Sequence, residues 1–199
     1  ANAFATSPSG GTPITLKDDE TTKIDLTGGR QVFLYGQAYP SVYVGSNGNF
    51  TFGAGDSTSE VSLDNHFSLP RISGLYDDLD PSAGGVISYK QLSDRFVVTY
   101  SNVYTYGTSL ANSFQIELFF DKTIRMTWLN VSDFYGLVGL SAGEGVPVGY
   151  TESDFSAYLS CGTLPVAAAL SSIAPNYTSL PLIPIAVTFS EPVTGFTQE

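Results

Sequence analysis

Short runs of β-branched and aromatic residues, in which apolar and polar positions alternate, occupy most of the chain before residue 150. The runs QVFLY (31–35), RISGLY (71–76) and LVGLSAG (137–143) are examples. Alternation with a period of two places every second side chain on the same face of a strand. No segment before residue 150 keeps an apolar period of 3.6 residues, so the pattern predicts an all-β protein.

The clearest local signal is a β-hairpin in SVYVGSNGNFTFG, residues 41–53. Asn47-Gly48 is a dipeptide preferred in type I′ turns, whose two central residues both take positive φ. On either side, apolar residues alternate with Tyr43 and Thr51. We therefore expect one face of this hairpin in the core and the other in solvent.

Two further hairpins and a connection follow along the chain. Residues 85–103 are predicted to turn near Ser93-Asp94, and residues 113–131 at Asp121-Lys122. Residues 54–70 between the strands are mostly polar and indicate a long connection. Strands of this number and spacing predict an antiparallel β-sandwich of jelly-roll or Greek-key type.

The composition divides the chain into three parts. Residues 1–13 are small, polar and rich in Gly and Pro, which predicts a flexible lead-in, and residues 14–163 carry the strand pattern of the sandwich. Residues 164–199 contain many prolines between short apolar stretches. They are too few to bury a core of their own and are predicted to be a linker with a partial domain.

Charge and cysteine content narrow the possible partners. The net charge is −11 with 8 Lys+Arg, which disfavours binding to nucleic acid or to anionic lipid and favours hard cations such as Ca²⁺. No apolar run approaches the roughly 18 residues of a membrane-spanning helix, so we expect no membrane insertion. Cys161 is the one cysteine and forms no intrachain disulfide; we expect a partly buried thiol. Low charge and a hydroxyl-rich surface are typical of extracellular β proteins.

The side chains needed for catalysis are scarce. His66 is the one histidine, and it lies in a polar stretch without a nucleophile motif, so we expect it to be exposed or to cap a turn. Zinc sites need several His or Cys ligands. Paired carboxylates are the remaining enzymatic option, but three aspartates crowded in one segment do not resemble a glycosidase pair. The sequence therefore predicts a protein that is not an enzyme.

The aspartates in YDDLDPSAGG, residues 76–85, have two interpretations. In the first, Asp80 precedes Pro81 and its carboxylate caps a turn by accepting hydrogen bonds from later backbone amides. In the second, Asp77, Asp78 and Asp80 hold Ca²⁺, which takes six to eight oxygen ligands. In an extended chain, Asp78 and Asp80 would share a face and Asp77 would point away.

The ordered series VYVGSNGNFTFG, ISGLYDDLDPSAGGVISYK, DRFVVTYSNV, FQIELFFDKTIRMTW and LVGLSAG resembles a nidogen-like (NIDO-like) extracellular β-sandwich module. Such modules occur in large secreted bacterial proteins, and the resemblance implies an adhesive or architectural role without catalytic residues. Asp121-Lys122 stands where that pattern usually has Asp-Gly. The tail, LIPIAVTFSEPVTGF (182–196), resembles the first strands of a bacterial immunoglobulin-like repeat, which implies either a truncated domain or a strand donated to a neighbour.

Two functions remain open from the sequence. The first is a non-catalytic module of a secreted or cell-surface protein, adhesive or structural, whose partners are neighbouring domains or copies of itself. The second is a carbohydrate-binding module in which exposed tyrosines stack on sugars. Tyr104 and Tyr106 are the best candidates, because residues two apart in a strand share a face.

Overall fold

The computed structural model describes residues 3–133, 135–154, 168–171 and 186–189. Over these residues the chain is mostly β, with two antiparallel sheets packed as a sandwich and one short helix, so the predicted fold class is confirmed. The elements are β1 (Thr12–Ile14), β2 (Thr21–Asp25), β3 (Val32–Leu34), β4 (Gln37–Tyr39), β5 (Ser41–Gly45), β6 (Asn49–Thr51), α1 (Leu63–Phe67), β7 (Pro70–Tyr76), β8 (Leu79–Asp80), β9 (Val86–Gln91), β10 (Arg95–Thr105), β11 (Ala111–Phe119), β12 (Ile124–Asn130), β13 (Leu137–Ala142), β14 (Ala168–Ser171) and β15 (Ala186–Phe189).

The sandwich consists of a six-stranded sheet and a five-stranded sheet. Sheet A runs β1-β9-β10-β11-β12, with β8 also pairing with β10, and sheet B runs β13-β7-β6-β5-β2. The short strands β3 and β4 form a separate hairpin. Because β1 and β2 are consecutive in the chain but lie at the edges of different sheets, the loop between them, residues 15–20, crosses from one sheet to the other.

The core lies between the sheets and consists of the inward-facing residues of each strand. On β10 these are the even-numbered residues from Phe96 to Tyr100, which pair with even-numbered residues of β11. Tyr100 stacks on Phe114 with ring centroids 4.4 Å apart, and its hydroxyl donates to the Gly45 carbonyl at 2.7 Å. The core side of these two strands therefore follows the alternation of the pleat.

The hairpin at residues 41–53 exists as β5 and β6, but its turn is not of type I′. Gly48 has a φ of 70°, whereas Asn47 is not among the described residues with positive φ. The Asn47 side chain bonds to three other segments, at Asp19, Thr58 and Leu79, and these contacts set the turn in place of the local preference. The prediction that Thr51 faces solvent was also wrong, because this residue is buried. Its hydroxyl donates to the carbonyl of Ala54 in the following loop at 2.6 Å.

The other two hairpins form as predicted, with β9 and β10 flanking residues 92–94, and β11 and β12 flanking residues 120–123. Lys122 has a φ of 82°, a conformation that suits glycine, which is the residue the family pattern usually has there. Residues 54–69 are a connection apart from α1, whose N-cap is Ser62. Arg71, fully buried on β7, fastens this connection by pairing with Asp56 and donating to the Asn65 carbonyl at 3.1 Å.

The chain divides into two compact units, residues 1–150 and residues 151–199. The first contains the sandwich. In the second, β14 and β15 pair as two antiparallel strands. The boundary predicted near residue 163 stays a prediction, and so does the identity of the tail, most of which lies outside the described residues together with Cys161.

Candidate functional site

The turn between β5 and β6 connects two acidic segments of the chain. The Ser46 backbone N–H donates to the Glu20 carbonyl at 2.8 Å, which fixes the end of the loop 15–20. On the other side, the Gly48 carbonyl accepts from Gly74 N at 3.0 Å and Leu75 N at 3.2 Å. A Cβ at Gly48 would lie 1.8 Å from the Leu75 carbonyl oxygen, so the close approach of the two backbones requires glycine.

The Asn47 carboxamide brings the acidic side chains of these segments together. Its Nδ2 donates to Asp19 Oδ1 at 2.8 Å, and its Oδ1 accepts from Leu79 N at 3.0 Å. Asn47 is almost fully buried, so both ends of its amide are held by protein groups. This side chain therefore sets the position of Asp19 relative to residues 77–80.

The result is an acidic cluster of Asp18, Asp19 and Asp78, in which one carboxylate oxygen of each residue lies within 4.8 Å of those of the other two. Asp18 Oδ1 and Asp78 Oδ1 are buried and have no hydrogen-bond partner. Burial, followed by the charges of Asp80, Asp19 and Asp78, raises the pKa of Asp18 to about 6. The pKa of Asp78 is also raised, first by burial and then by Asp19 and Asp80.

No basic side chain offsets this charge within the described residues, where the ion pairs involve other acidic groups. Lys23 pairs with Asp25, Arg71 with Asp56, and Arg95 with Asp94; Arg95 and Arg125 share Glu117. Three converging carboxylates, two of which have a buried oxygen without a hydrogen-bond partner, are a donor set that a hard cation prefers. The acidic cluster can therefore bind a metal ion.

Of the three aspartates predicted as metal ligands, the structure brings Asp78 into this cluster. Asp80 caps a turn, since its Oδ1 accepts from Ser82 N at 2.8 Å and Ala83 N at 3.2 Å. That is the capped turn that the sequence offered as the alternative to a metal site. Asp80 nevertheless lies close enough to raise the pKa of both Asp18 and Asp78, as expected if Asp78 and Asp80 share a face.

Asp77 is not part of the acidic cluster and is only 7% exposed. Its Oδ1 accepts from the Asp78 N–H at 2.9 Å. Burial raises its pKa to about 6, and the neighbouring Asp133 carboxyl adds to this rise. The carboxyl of Asp77 therefore interacts with that of Asp133, whereas the carboxyl of Asp78 belongs to the acidic cluster.

Asp18 and Asp19 were missed by sequence reasoning. They lie in the run LKDDE, residues 16–20, about 60 residues before Asp78 along the chain. Two adjacent aspartates between short strands are a visible signal. Nothing local indicates that this loop meets the turn at residues 77–80, because the contact depends on the pairing of β2 with β5 and β5 with β6.

Both tyrosines proposed for stacking lie next to residues 78–80 through backbone contacts. Tyr104 on β10 pairs with Asp80 on β8, and its ring lies against Gly84, where a Cβ would be 2.5 Å from Tyr104 Cε2. Tyr106 is 55% exposed, and its backbone N–H donates to the Asp78 carbonyl at 2.8 Å. Tyr106 is therefore the more accessible of the two rings.

The expectation that His66 is exposed or caps a turn was wrong, because the side chain is 1% exposed. Helix α1 packs it against β7, where its Nδ1 lies 2.9 Å from the hydroxyl oxygen of the fully buried Ser73. Burial, with a smaller contribution from the Arg71 charge, lowers its pKa to about 4. A pair enclosed in this way is a core contact and does not face a substrate.

The family model described as NIDO related matches the chain over residues 1–190. No curated protein and no solved structure matches the chain. Among the described residues, no helix has the length and apolar character needed to span a membrane.

Proposed function

The chain belongs to the NIDO-related family, and on that premise we propose a non-catalytic extracellular module, adhesive or structural, whose acidic cluster binds Ca²⁺. Membership of this family implies an extracellular module, and domains of this family are typically non-catalytic. Calcium is abundant outside cells, and extracellular modules bind it with dissociation constants of about 10⁻⁴–10⁻³ M.

One observation carries the calcium proposal: the carboxylates of Asp18, Asp19 and Asp78 come within 4.8 Å of one another, and Asp18 and Asp78 each have a buried oxygen without a hydrogen-bond partner. An unpartnered buried anion costs free energy, and a bound cation removes that cost. Three carboxylates supply part of the six to eight oxygens of calcium, and water supplies the others because the cluster is partly exposed.

The ion would act on the loop that joins the sheets. Asp18 and Asp19 lie between β1 at the edge of sheet A and β2 at the edge of sheet B, whereas Asp78 lies just before β8. Without a cation, the like charges repel, and the loop 15–20 is held to residues 77–80 chiefly by Asn47. With calcium bound, the loop between the edge strands β1 and β2 is held to residues 77–80 by the ion as well. Such a link suits a module that transmits load or presents a fixed surface.

The test is equilibrium unfolding in urea with calcium or with chelator, applied to the native chain and to Asp18→Asn and Asp78→Asn. We expect calcium to stabilise the native chain by about 2–3 kcal/mol at a hundred times its dissociation constant. Each substitution is expected to abolish most of this gain and to raise the stability of the metal-free protein, since it removes repulsion. Asp25→Asn is the matched control, because Asp25 is exposed and pairs with Lys23 outside the cluster.

Proton competition gives a second readout of the same site. Because the pKa of Asp18 is about 6, calcium binding should weaken as the pH falls from 7 to 5. An unchanged urea midpoint on adding calcium would reject the site, and so would a calcium effect that survives in both asparagine variants.

Glycan binding is the second candidate function, favoured by the exposure of Tyr106 beside the acidic cluster. An aromatic face stacks on a sugar ring, and polar groups nearby fix its hydroxyls. A glycan array should then give hits that Tyr106→Ala loses and that Tyr104→Ala weakens less, because the Tyr104 ring is packed on Gly84. A blank array with native protein would leave the adhesive or structural role as the function.

A further inference from the structure

Residues 3–9, here called the strap, precede β1 and lie on the outer face of sheet A. Part of the segment predicted to be a flexible lead-in is thus bonded to the sandwich. Thr6 is 8% exposed, whereas its neighbours Ala5 and Ser7 are exposed. The strap therefore inserts one residue into the sheet surface.

The seat of Thr6, here called the cradle, is built from cross-strand pairs of β10 and β11. Thr99 pairs with Gln115, and Val97 pairs with Glu117. These residues alternate with the core-facing ones, which places them on the outer face, yet all four are buried. A polar face that would normally meet water is covered at this point.

Gln115 binds the backbone of Thr6 from both sides. Thr6 N donates to Gln115 Oε1 at 2.9 Å, and Gln115 Nε2 donates to the Thr6 carbonyl at 2.7 Å. This donor–acceptor pair reproduces what a neighbouring strand offers to an extended residue. These contacts therefore hold the backbone of one residue without selecting its side chain.

The hydroxyl of Thr6 supplies the side-chain selectivity. It donates to Glu117 Oε1 at 2.6 Å and accepts from Arg95 Nη2 at 3.0 Å. A valine of the same shape would make neither bond and would leave both charged partners facing a methyl group. The cradle is therefore chemically specific for threonine, or for serine at some loss of packing.

The cradle is organised without help from the strap. Gln115 Nε2 also donates to Thr99 Oγ1 at 2.7 Å, which fixes the orientation of the amide. Glu117 keeps ion pairs with Arg95 and Arg125, and both guanidinium groups lie about 5 Å from the centroid of the Phe119 ring. A site whose side chains bond to one another is pre-organised for reversible binding, because less conformational freedom is lost when the occupant binds.

The strap itself is lightly held beyond Thr6. Its other hydrogen bonds to sheet A are exposed, since Lys90 Nζ donates to the Ser7 carbonyl at 2.7 Å and also to the Ser9 carbonyl, while Phe4 and Pro8 are half-buried. Gly10, with a φ of 74°, and Gly11, whose N–H donates to the Pro8 carbonyl at 2.9 Å, form a turn between the strap and β1. Segments with little buried apolar surface open at low free-energy cost.

We propose that the cradle is a binding site for a threonine-bearing segment, and that its partner in assembly is the strap of a second copy of this chain. The strap is the one segment whose fit to the cradle is known, and exchange between copies preserves every hydrogen bond. The proposal deepens the structural role proposed above by naming a contact for self-assembly, and it does not depend on calcium.

The first test measures whether the cradle accepts a segment supplied in trans. In the full chain, Thr6→Asp places a carboxylate against Glu117 and frees the cradle. A synthetic peptide, ANAFATSPSGG (residues 1–11), should bind this variant with a micromolar dissociation constant by calorimetry. The same peptide with Thr6→Val should bind at least tenfold more weakly, and the native chain should bind the peptide more weakly because its own strap competes.

The second test mixes isotopically labelled and unlabelled native chain and follows mixed dimers by native mass spectrometry. Mixed dimers are expected from the native chain at high concentration and not from Thr6→Asp alone. If Thr6→Asp fails to fold by circular dichroism, Thr6→Ala replaces it, since it removes the hydroxyl without adding charge. Calcium stabilisation measured on the same variants keeps the two proposals separate.

Equal affinity for the threonine and valine peptides, or no binding of either by a folded variant, would overturn the cradle as a recognition site. Peptide binding without mixed dimers would overturn the second copy as the partner.

Discussion

Gly48→Ala isolates the close backbone contact that organises the acidic loops. At this position φ is 70°, and an added Cβ would lie 1.8 Å from the Leu75 carbonyl oxygen and 2.8 Å from the Leu75 carbonyl carbon. Both atoms belong to the backbone of β7, so the contact is not relieved by a rotamer change. The chain must separate the turn from β7 by more than 1 Å.

The cost has two parts. Positive φ in alanine costs about 1–2 kcal/mol, offset by about 0.4–1 kcal/mol from the lower entropy of the unfolded chain. Separation also stretches the bonds from Gly74 N and Leu75 N to the Gly48 carbonyl, at about 1–3 kcal/mol for each buried group that loses its partner. We expect Gly48→Ala to lower the free energy of unfolding by about 4 kcal/mol.

Gly53→Ala is the matched control, because Gly53 has a φ of 83° and a Cβ added there would meet nothing within 4 Å. It carries the conformational cost without the collision, and should lose about 1 kcal/mol. Urea unfolding followed by tryptophan fluorescence and by circular dichroism gives both values. With a slope of about 2 kcal/mol per molar urea, the two midpoints should differ by about 1.5 M.

Equal destabilisation by the two substitutions would refute the reasoning, because the collision with Leu75 would then contribute nothing. A change in the slope for Gly48→Ala alone would indicate a native state loosened around the turn, and calcium binding should weaken with it, since Asn47 places Asp19.

Two further predictions concern buried ionisable groups. The unfolded chain protonates His66 near pH 6.5 and the folded chain only near pH 4, so native stability should fall by about 3 kcal/mol as the pH drops through that window. His66→Gln should remove this part of the pH dependence in urea titrations. The raised pKa of Asp77 acts in the opposite direction, but Asp77 is present in both proteins, so its effect cancels when the stability of the variant is subtracted from that of the native chain. Arg71→Met should lower the free energy of unfolding by about 3–5 kcal/mol, because Asp56 Oδ2 and the Asn65 carbonyl lose the guanidinium group that donates to them. Adding Asp56→Asn should recover part of that loss in the same unfolding assay, and no recovery would mean that the buried charge is not the cause.

Most strands and the three hairpin pairings could be predicted from the sequence, because a period of two and turn residues act over short distances. The hairpins at residues 92–94 and 120–123 follow from such local signals. So does the Asp80 turn, in which a carboxylate accepts from amides two and three residues later. The alternation of Phe114, Ile116 and Leu118 with polar residues marks the core face of β11.

The turn of the first hairpin marks where local preference stops being sufficient. Asn47-Gly48 predicts positive φ at both positions, but the buried carboxamide of Asn47 finds partners at Asp19 and Leu79, and these bonds outweigh the turn preference. His66 was misjudged for a similar reason: a histidine in a polar run is buried once helix α1 packs on β7.

The sequence by itself determined a β-sandwich of the NIDO type, with an acidic turn at residues 77–80 and tyrosines near the end of β10. Only the tertiary structure decided that Asp18 and Asp19 join Asp78, and that Thr6 meets Gln115, 109 residues away. The physical reason is that strand formation depends on neighbouring residues, whereas these contacts depend on which edges of which sheets lie together. That arrangement is settled by packing the whole core, and no single segment of the sequence encodes it.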